Sequence, residues 1–154
     1  MSGPLHLLYA CSKSFDELVG DDPVKRRCSE CRLDVVDFRA FTAAERERYL
    51  SLADVAQEEV CAVLPAAEGR SRCVDHPDST SPRRAFADVV GRVDLRSPAQ
   101  HSWDADRAAA LRERPDAASA TMALAAIEKR AAVARDEMAR MLDQARAVKG
   151  GAVR

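Results

Sequence analysis

The sequence predicts an α+β fold: a small four-cysteine module of β-α-β-α-β outline, a flexible arm, and an α-helical C-terminal tail. Three observations predict it. Short β-branched or apolar runs alternate with capping-box helix starts as far as residue 64. Pro, Ser and Arg crowd residues 65–104, which read as a linker arm. From residue 105 to 154 the chain is Ala-rich and charged, which is helix composition.

Leu5 to Ala10 is a short apolar run with strand character that delivers Cys11 at its end. Ser14-Phe15-Asp16-Glu17 has the S-x-x-E form that caps a helix, so a brief helical turn is expected from Phe15 to Val19. Gly20-Asp21-Asp22-Pro23 stops it, and Lys25-Arg26-Arg27 then runs as a basic loop into Cys28-Ser29-Glu30-Cys31. Leu33 to Phe38 is partly alternating and β-branched, a strand. Thr42 and Glu45 form a second capping box, and Tyr49, Leu52, Ala53, Ala56 and Val60 follow on one helical face. Val60 to Leu64 closes the module as a strand stopped by Pro65.

In the arm, Phe86 to Leu95 is the one stretch with ordered character. In the tail, Pro115 separates a short helix at 105–114 from a long one over 117–149. Leu124, Ile127, Ala131, Ala134, Met138, Met141, Ala145 and Val148 step by three and four along the long helix. That seam predicts a hairpin with the 105–114 helix or a short coiled coil. Arg130 and Arg135 would face each other in a parallel dimer, so an antiparallel partner is expected.

The cysteines fall as C-x16-C-x2-C-x29-C at Cys11, Cys28, Cys31 and Cys61. Two thiols three positions apart can face one cation across a tight turn, and two more can complete a tetrahedral shell. Cys73 and His76 form a second C-x-x-H pair, possible secondary ligands in a Pro- and Arg-rich setting. Lys25, Arg26 and Arg27 beside the thiols would favour thiolate and raise the potential of a bound cluster. A thioredoxin-type dithiol is disfavoured, since Arg32 and a strand with Asp34 and Asp37 follow the pair where a helix N-terminus is needed. His6 and His101 stand outside any acid–base or nucleophile constellation, and no phosphate-binding glycine loop is present.

The C-x2-C-x29-C portion is similar to the rear part of the plant-type [2Fe-2S] ferredoxin signature. The match breaks upstream, where Pro23 and Cys11 replace the expected spacing. The wider pattern resembles a bacterial N-terminal four-cysteine module over residues 5–64. Cys11 and Phe15, Arg26 before Cys28 and Cys31, Val35/Val36-Asp37-Phe38, Thr42 with Glu45, and Val60-Cys61 carry that resemblance. It implies that the four cysteines act together.

Composition narrows the classes further. The 154 residues carry a formal charge of −1, and residues 1–64 hold 8 basic against 12 acidic side chains, which argues against nucleic acid. No apolar run is long enough to span a membrane, and none has the flanks of a signal peptide. A cytoplasmic setting is expected, where five thiols stay reduced and favour metal or redox chemistry over disulfides. Two functions follow as expectations. One is a small [2Fe-2S] electron-transfer or redox-sensing protein. The other is a zinc-stabilised adaptor whose 117–149 helix meets a protein partner or a second copy. Neither assigns a catalytic residue.

Overall fold

The computed structural model describes residues 7–11, 13–65, 74–75, 88–93 and 117–151. Cys73, His76, His6, His101 and the expected 105–114 helix lie outside the described residues. The fold is α+β. Its strands are β1 (Leu7–Ala10), β2 (Lys25–Arg27), β3 (Asp34–Asp37), β4 (Cys61–Pro65), β5 (Val74–Asp75) and β6 (Asp88–Val93). They form one mixed sheet in the order β2-β3-β4-β6-β1-β5. Among the described residues two α-helices accompany them, α1 (Ala43–Ala56) and α2 (Ala117–Gly151).

The sheet separates two apolar layers because strand side chains alternate in direction. Val36 of β3, Ala62 and Leu64 of β4, and Val93 of β6 face the helices. Val35, Cys61, Val63 and Val90 face the opposite side, where Phe15 and Leu18 cover them. A one-residue slip of β4 would send Cys61 into the helical layer, so the register fixes where the thiols can meet.

α1 begins as its capping box requires. Thr42 accepts from the Glu45 N–H, and the Glu45 carboxylate accepts from the Thr42 N–H at 2.7 Å. It ends at Gln57, a non-glycine residue in the left-handed region at φ 57°, while the Glu58 N–H closes on the Ala53 carbonyl at 2.9 Å. Tyr49, Ala53 and Ala56 are buried as the spacing requires. Tyr49 joins Phe38 and Phe41 in an edge-to-face cluster with centroids 5.6 to 5.9 Å apart.

Several expectations need correction. The first helix of the β-α-β-α-β outline is a single 3-10 turn, Phe15–Glu17, which ends where Leu18 turns extended to bury its side chain and Val19 pairs with Arg27. The basic run Lys25–Arg27 is a strand: it has no core-facing apolar residue, yet as an edge strand it needs only the backbone pairing with β3. The arm does not begin cleanly at residue 65. β6 lies inside the sheet, with Val90 and Val93 buried and Gly91 opposite Ala62 and Ala10.

The seam of α2 is spent within the chain. Ala131, Ala134, Met138, Met141 and Ala145 are buried with Leu142 against α1 and the sheet, whereas Leu124 and Val148 at the ends of the seam are exposed. Alanine at the contact lets two helix backbones approach closely, which explains a pattern too thin for a self-standing coiled coil. Arg135 pairs with Glu58 at 3.1 Å and Arg48 with Glu137 along this junction.

The last turns of α2 are clamped. Arg146 pairs with Asp22 at 2.7 Å, and Lys149 donates to the Pro23 carbonyl at 2.9 Å and to Asp37. Asp37 is fully buried. Burial acts to raise its pKa, but two hydrogen bonds from the Arg39 guanidinium, at 2.7 and 2.8 Å, and one from Lys149 outweigh it and hold the carboxyl below its ordinary range.

Candidate metal centre

The C-x-x-C pair sits at the tip of the β2–β3 hairpin, where the backbone builds a closed knuckle. The Cys28 N–H donates to the Leu33 carbonyl at 3.0 Å, and the Arg32 N–H returns to the Cys28 carbonyl at 3.0 Å. Closing so short a turn forces Arg32 into the left-handed region at φ 58°. With the loop so folded, the N–H groups of Glu30 and Cys31 point at the Cys28 sulfur, and the Leu33 N–H points at the Cys31 sulfur. Amide donors aimed at sulfur stabilise thiolate over thiol.

Cys11 follows β1, and its N–H is held by the Val90 carbonyl at 2.6 Å. Its own sulfur accepts from the Lys13 N–H. The Lys13 ammonium then reaches Ser29 at 2.7 Å and Glu30 at 3.9 Å, stitching the Cys11 loop to the knuckle. Cys61 opens β4, opposite Val35 in register, and points to the thiol face.

The sulfurs meet in a chain of contacts. Cys11 and Cys28 are 3.8 Å apart, Cys28 contacts Cys31, and Cys31 contacts Cys61. All four are free thiols. Cys28 and Cys61 are buried, Cys11 and Cys31 partly so, with Phe15, Leu18, Leu33, Val35, Val63 and Val90 around them. Among the described residues no group of three or more His, Cys, Asp or Glu side chains is placed so as to hold a metal ion as it stands. What is present is the contact series 11–28, 28–31 and 31–61, with Cys61 also close enough to Cys28 and Cys11 to feel their charge.

Electrostatics sorts the four. Burial, then the neighbouring Cys28 and Glu30, pushes the Cys11 thiol up to about 12, against the Lys13 N–H. Burial and then the other three sulfurs push Cys61 up as well. Burial and Cys28 raise Cys31. At Cys28 burial also raises, but the N–H groups of Cys31 and Glu30 and the thiols of Cys31 and Cys11 outweigh it, and the net shift is downward. The amide donors thus ease ionisation at Cys28, while burial in an apolar shell opposes it at the other three. A cation is what such a donor set lacks.

Lys25, Arg26 and Arg27, expected to tune the thiols, have other partners in the structure. Lys25 and Arg27 pair with Asp34 at 3.0 and 3.3 Å. Arg26 lies over the Phe15 ring, 4.7 Å from its centroid, and donates to the Phe15 and Asp22 carbonyls. Strand alternation and Asp34 claim these charges. Lys13 is the cation at the centre's edge, and only its position two residues beyond Cys11 could have flagged it. Asp37 was legible as a motif residue but not as the anchor of α2.

One cleft of about 280 Å³ opens on the helical side, between Lys25, Arg27, Arg32, Tyr49, Glu58 and Met138. Its charges are already engaged in part, Lys25 and Arg27 with Asp34, and Glu58 with Arg135. No helix among the described residues is long and apolar enough to cross a membrane. Comparisons with protein-family models, curated proteins and solved structures find no match to this chain.

Proposed function

We propose that Cys11, Cys28, Cys31 and Cys61 hold one metal ion, zinc by donor type, which staples the open face of the sheet in a small adaptor protein. The carrying observation is the 3.8 Å separation of Cys11 and Cys28 within an unbroken series of sulfur contacts. Four sulfurs about 2.3 Å from one ion at tetrahedral angles lie about 3.8 Å from each other. Zinc would supply the positive charge that turns raised thiols into ligands, and no redox chemistry. The chain's own contribution is the second layer: amide donors from Lys13, Glu30, Cys31 and Leu33 orient the sulfurs, and the Lys13 side chain ties two of the three ligand segments together.

A [2Fe-2S] electron-transfer role is the second reading, favoured by the same all-thiolate donor set. It requires two sulfur pairs parted by the width of a di-iron core, which the Cys28–Cys31 contact opposes. The adaptor role would rest with the N-terminal part of α2, where Met122 and Leu124 are exposed beyond the segment packed on α1. Metal analysis of full-length protein purified without oxygen tests the reading. One equivalent of zinc in colourless protein is expected. Two equivalents of iron with sulfide and visible absorbance would establish the cluster instead.

A further inference from the structure

The three sulfur contacts, Cys11 with Cys28, Cys28 with Cys31 and Cys31 with Cys61, can be paired in one way that leaves no thiol over. Cys11 touches Cys28 and Cys31 touches Cys61, whereas joining Cys28 to Cys31 strands the outer two. We propose that the centre is a metal–disulfide interchange site. A small-molecule disulfide oxidises the four thiolates to Cys11–Cys28 and Cys31–Cys61 and releases the metal. The inference rests on the four-thiol reading above and adds the oxidised state and its connectivity.

Two features of the surrounding frame distinguish this pairing from the internal C-x-x-C bridge. Closing the Cys11–Cys28 gap from 3.8 Å to a bond of about 2.05 Å needs a movement of about 1.8 Å. The loop carrying Cys11 is fastened to the knuckle from outside by Lys13, Ser29 and Glu30, which keeps the two sulfurs in reach once the metal leaves. The knuckle itself is closed by its own backbone bonds from Cys28 to Leu33 and from Arg32 to Cys28, and a 28–31 bridge would have to form inside that frame. The two proposed bridges join the segments that the metal joins: the β1 exit to the hairpin tip, and the hairpin tip to β4.

The chemistry balances with a low-molecular-weight disulfide as oxidant. Each bridge forms by attack of one thiolate on the oxidant, giving a mixed disulfide and one small thiolate. The second protein thiolate then displaces the other small thiolate. Two bridges consume two oxidant molecules, pass four electrons to them, and take up four protons to yield four small thiols. The two-plus metal ion leaves without changing oxidation state.

The test uses the full chain, as purified, exposed to oxidised glutathione at neutral pH with a zinc-sensitive dye present. Remaining thiols are then alkylated in denaturant, and the chain is cut after Arg27, Glu30 and Arg32 so that Cys28 and Cys31 fall in separate peptides. Peptides joined as 11–28 and 31–61 are expected, with Cys73 alkylated and zinc falling from one equivalent to none. A dominant 28–31 bridge, stable glutathione adducts or unreacted thiols would overturn the proposal. Cys31→Ser gives an independent check, since 11–28 must still form in it. Protein that holds no metal as purified yet forms 11–28 and 31–61 would refute the metal centre and leave the pairing standing. Metal-bound protein that yields other pairs would do the reverse.

Discussion

Replacing Asp37 with Asn should detach the end of α2 from the body of the protein. The carboxylate is fully buried, receives two guanidinium hydrogen bonds from Arg39, and holds Lys149 from the last turn of α2. Asn keeps the shape, removes the charge, and presents an amide donor to two cations. Losing one partner of a buried ion pair costs about 3–5 kcal/mol. Here both cations are roughly a third exposed and can recover water, so a cost at or below the bottom of that range, about 2–3 kcal/mol, is expected. For a chain of this length each kcal/mol moves Tm by about 2–4 °C, so the transition should fall by roughly 4–12 °C. Thermal unfolding of the metal-loaded protein, with amide exchange over residues 131–149, measures both. Protection should drop most toward residue 149. A loss under about 0.5 kcal/mol, or exchange unchanged along α2, would refute the clamp.

Acid should act through the same anchors. Arg146 and the Val24 and Lys25 N–H groups outweigh burial at Asp22 and lower it to about 2, and Asp37 is lowered as well. Carboxyls depressed by folding stabilise the native state above their unfolded pKa, so stability should hold from pH 7 to 5 and fall between about pH 4 and 2. Asp22→Asn should flatten that fall by about 1 kcal/mol in urea titrations. Ala134→Leu would improve a coiled-coil seam but overfills the α1–α2 contact, and should destabilise by about 1–3 kcal/mol. A gain in stability or a new dimer by sedimentation would contradict the intramolecular packing. Thr42→Ala should cost about 1 kcal/mol by removing the α1 cap, read by chemical denaturation.

The local grammar of the chain was readable where one residue carries one physical constraint. Thr42 and Glu45 announce α1, and the steps from Ala131 to Ala145 announce a buried helical face. What that face meets was not readable, because α1 is far away in sequence and an Ala-lined contact resembles a weak self-association seam. Val89, Val93 and Leu95 marked Phe86 to Leu95 as ordered, but that β6 is a strand placed between β4 and β1 is a pairing choice that periodicity does not encode. β2 was hidden because an edge strand of Lys and Arg has no apolar alternation to display.

At the centre, spacing singled out Cys11, Cys28, Cys31 and Cys61, and the fold brings them into one contact series. The amide donors around the sulfurs were invisible, since any residue type supplies a backbone N–H. So was the displacement of Lys25, Arg26 and Arg27 from the thiols, which depends on Asp34 and Phe15 having first claim to them.

The most direct measurement of the central claim is X-ray absorption at the metal edge of the full-length protein, with the four single Cys→Ser variants alongside. One ion with four sulfur neighbours at about 2.3 Å is expected, with loss of one sulfur or of the metal on substitution at each of positions 11, 28, 31 and 61. Nitrogen or oxygen neighbours in the wild type, or an unchanged four-sulfur shell when Cys11 or Cys61 is replaced, would contradict it.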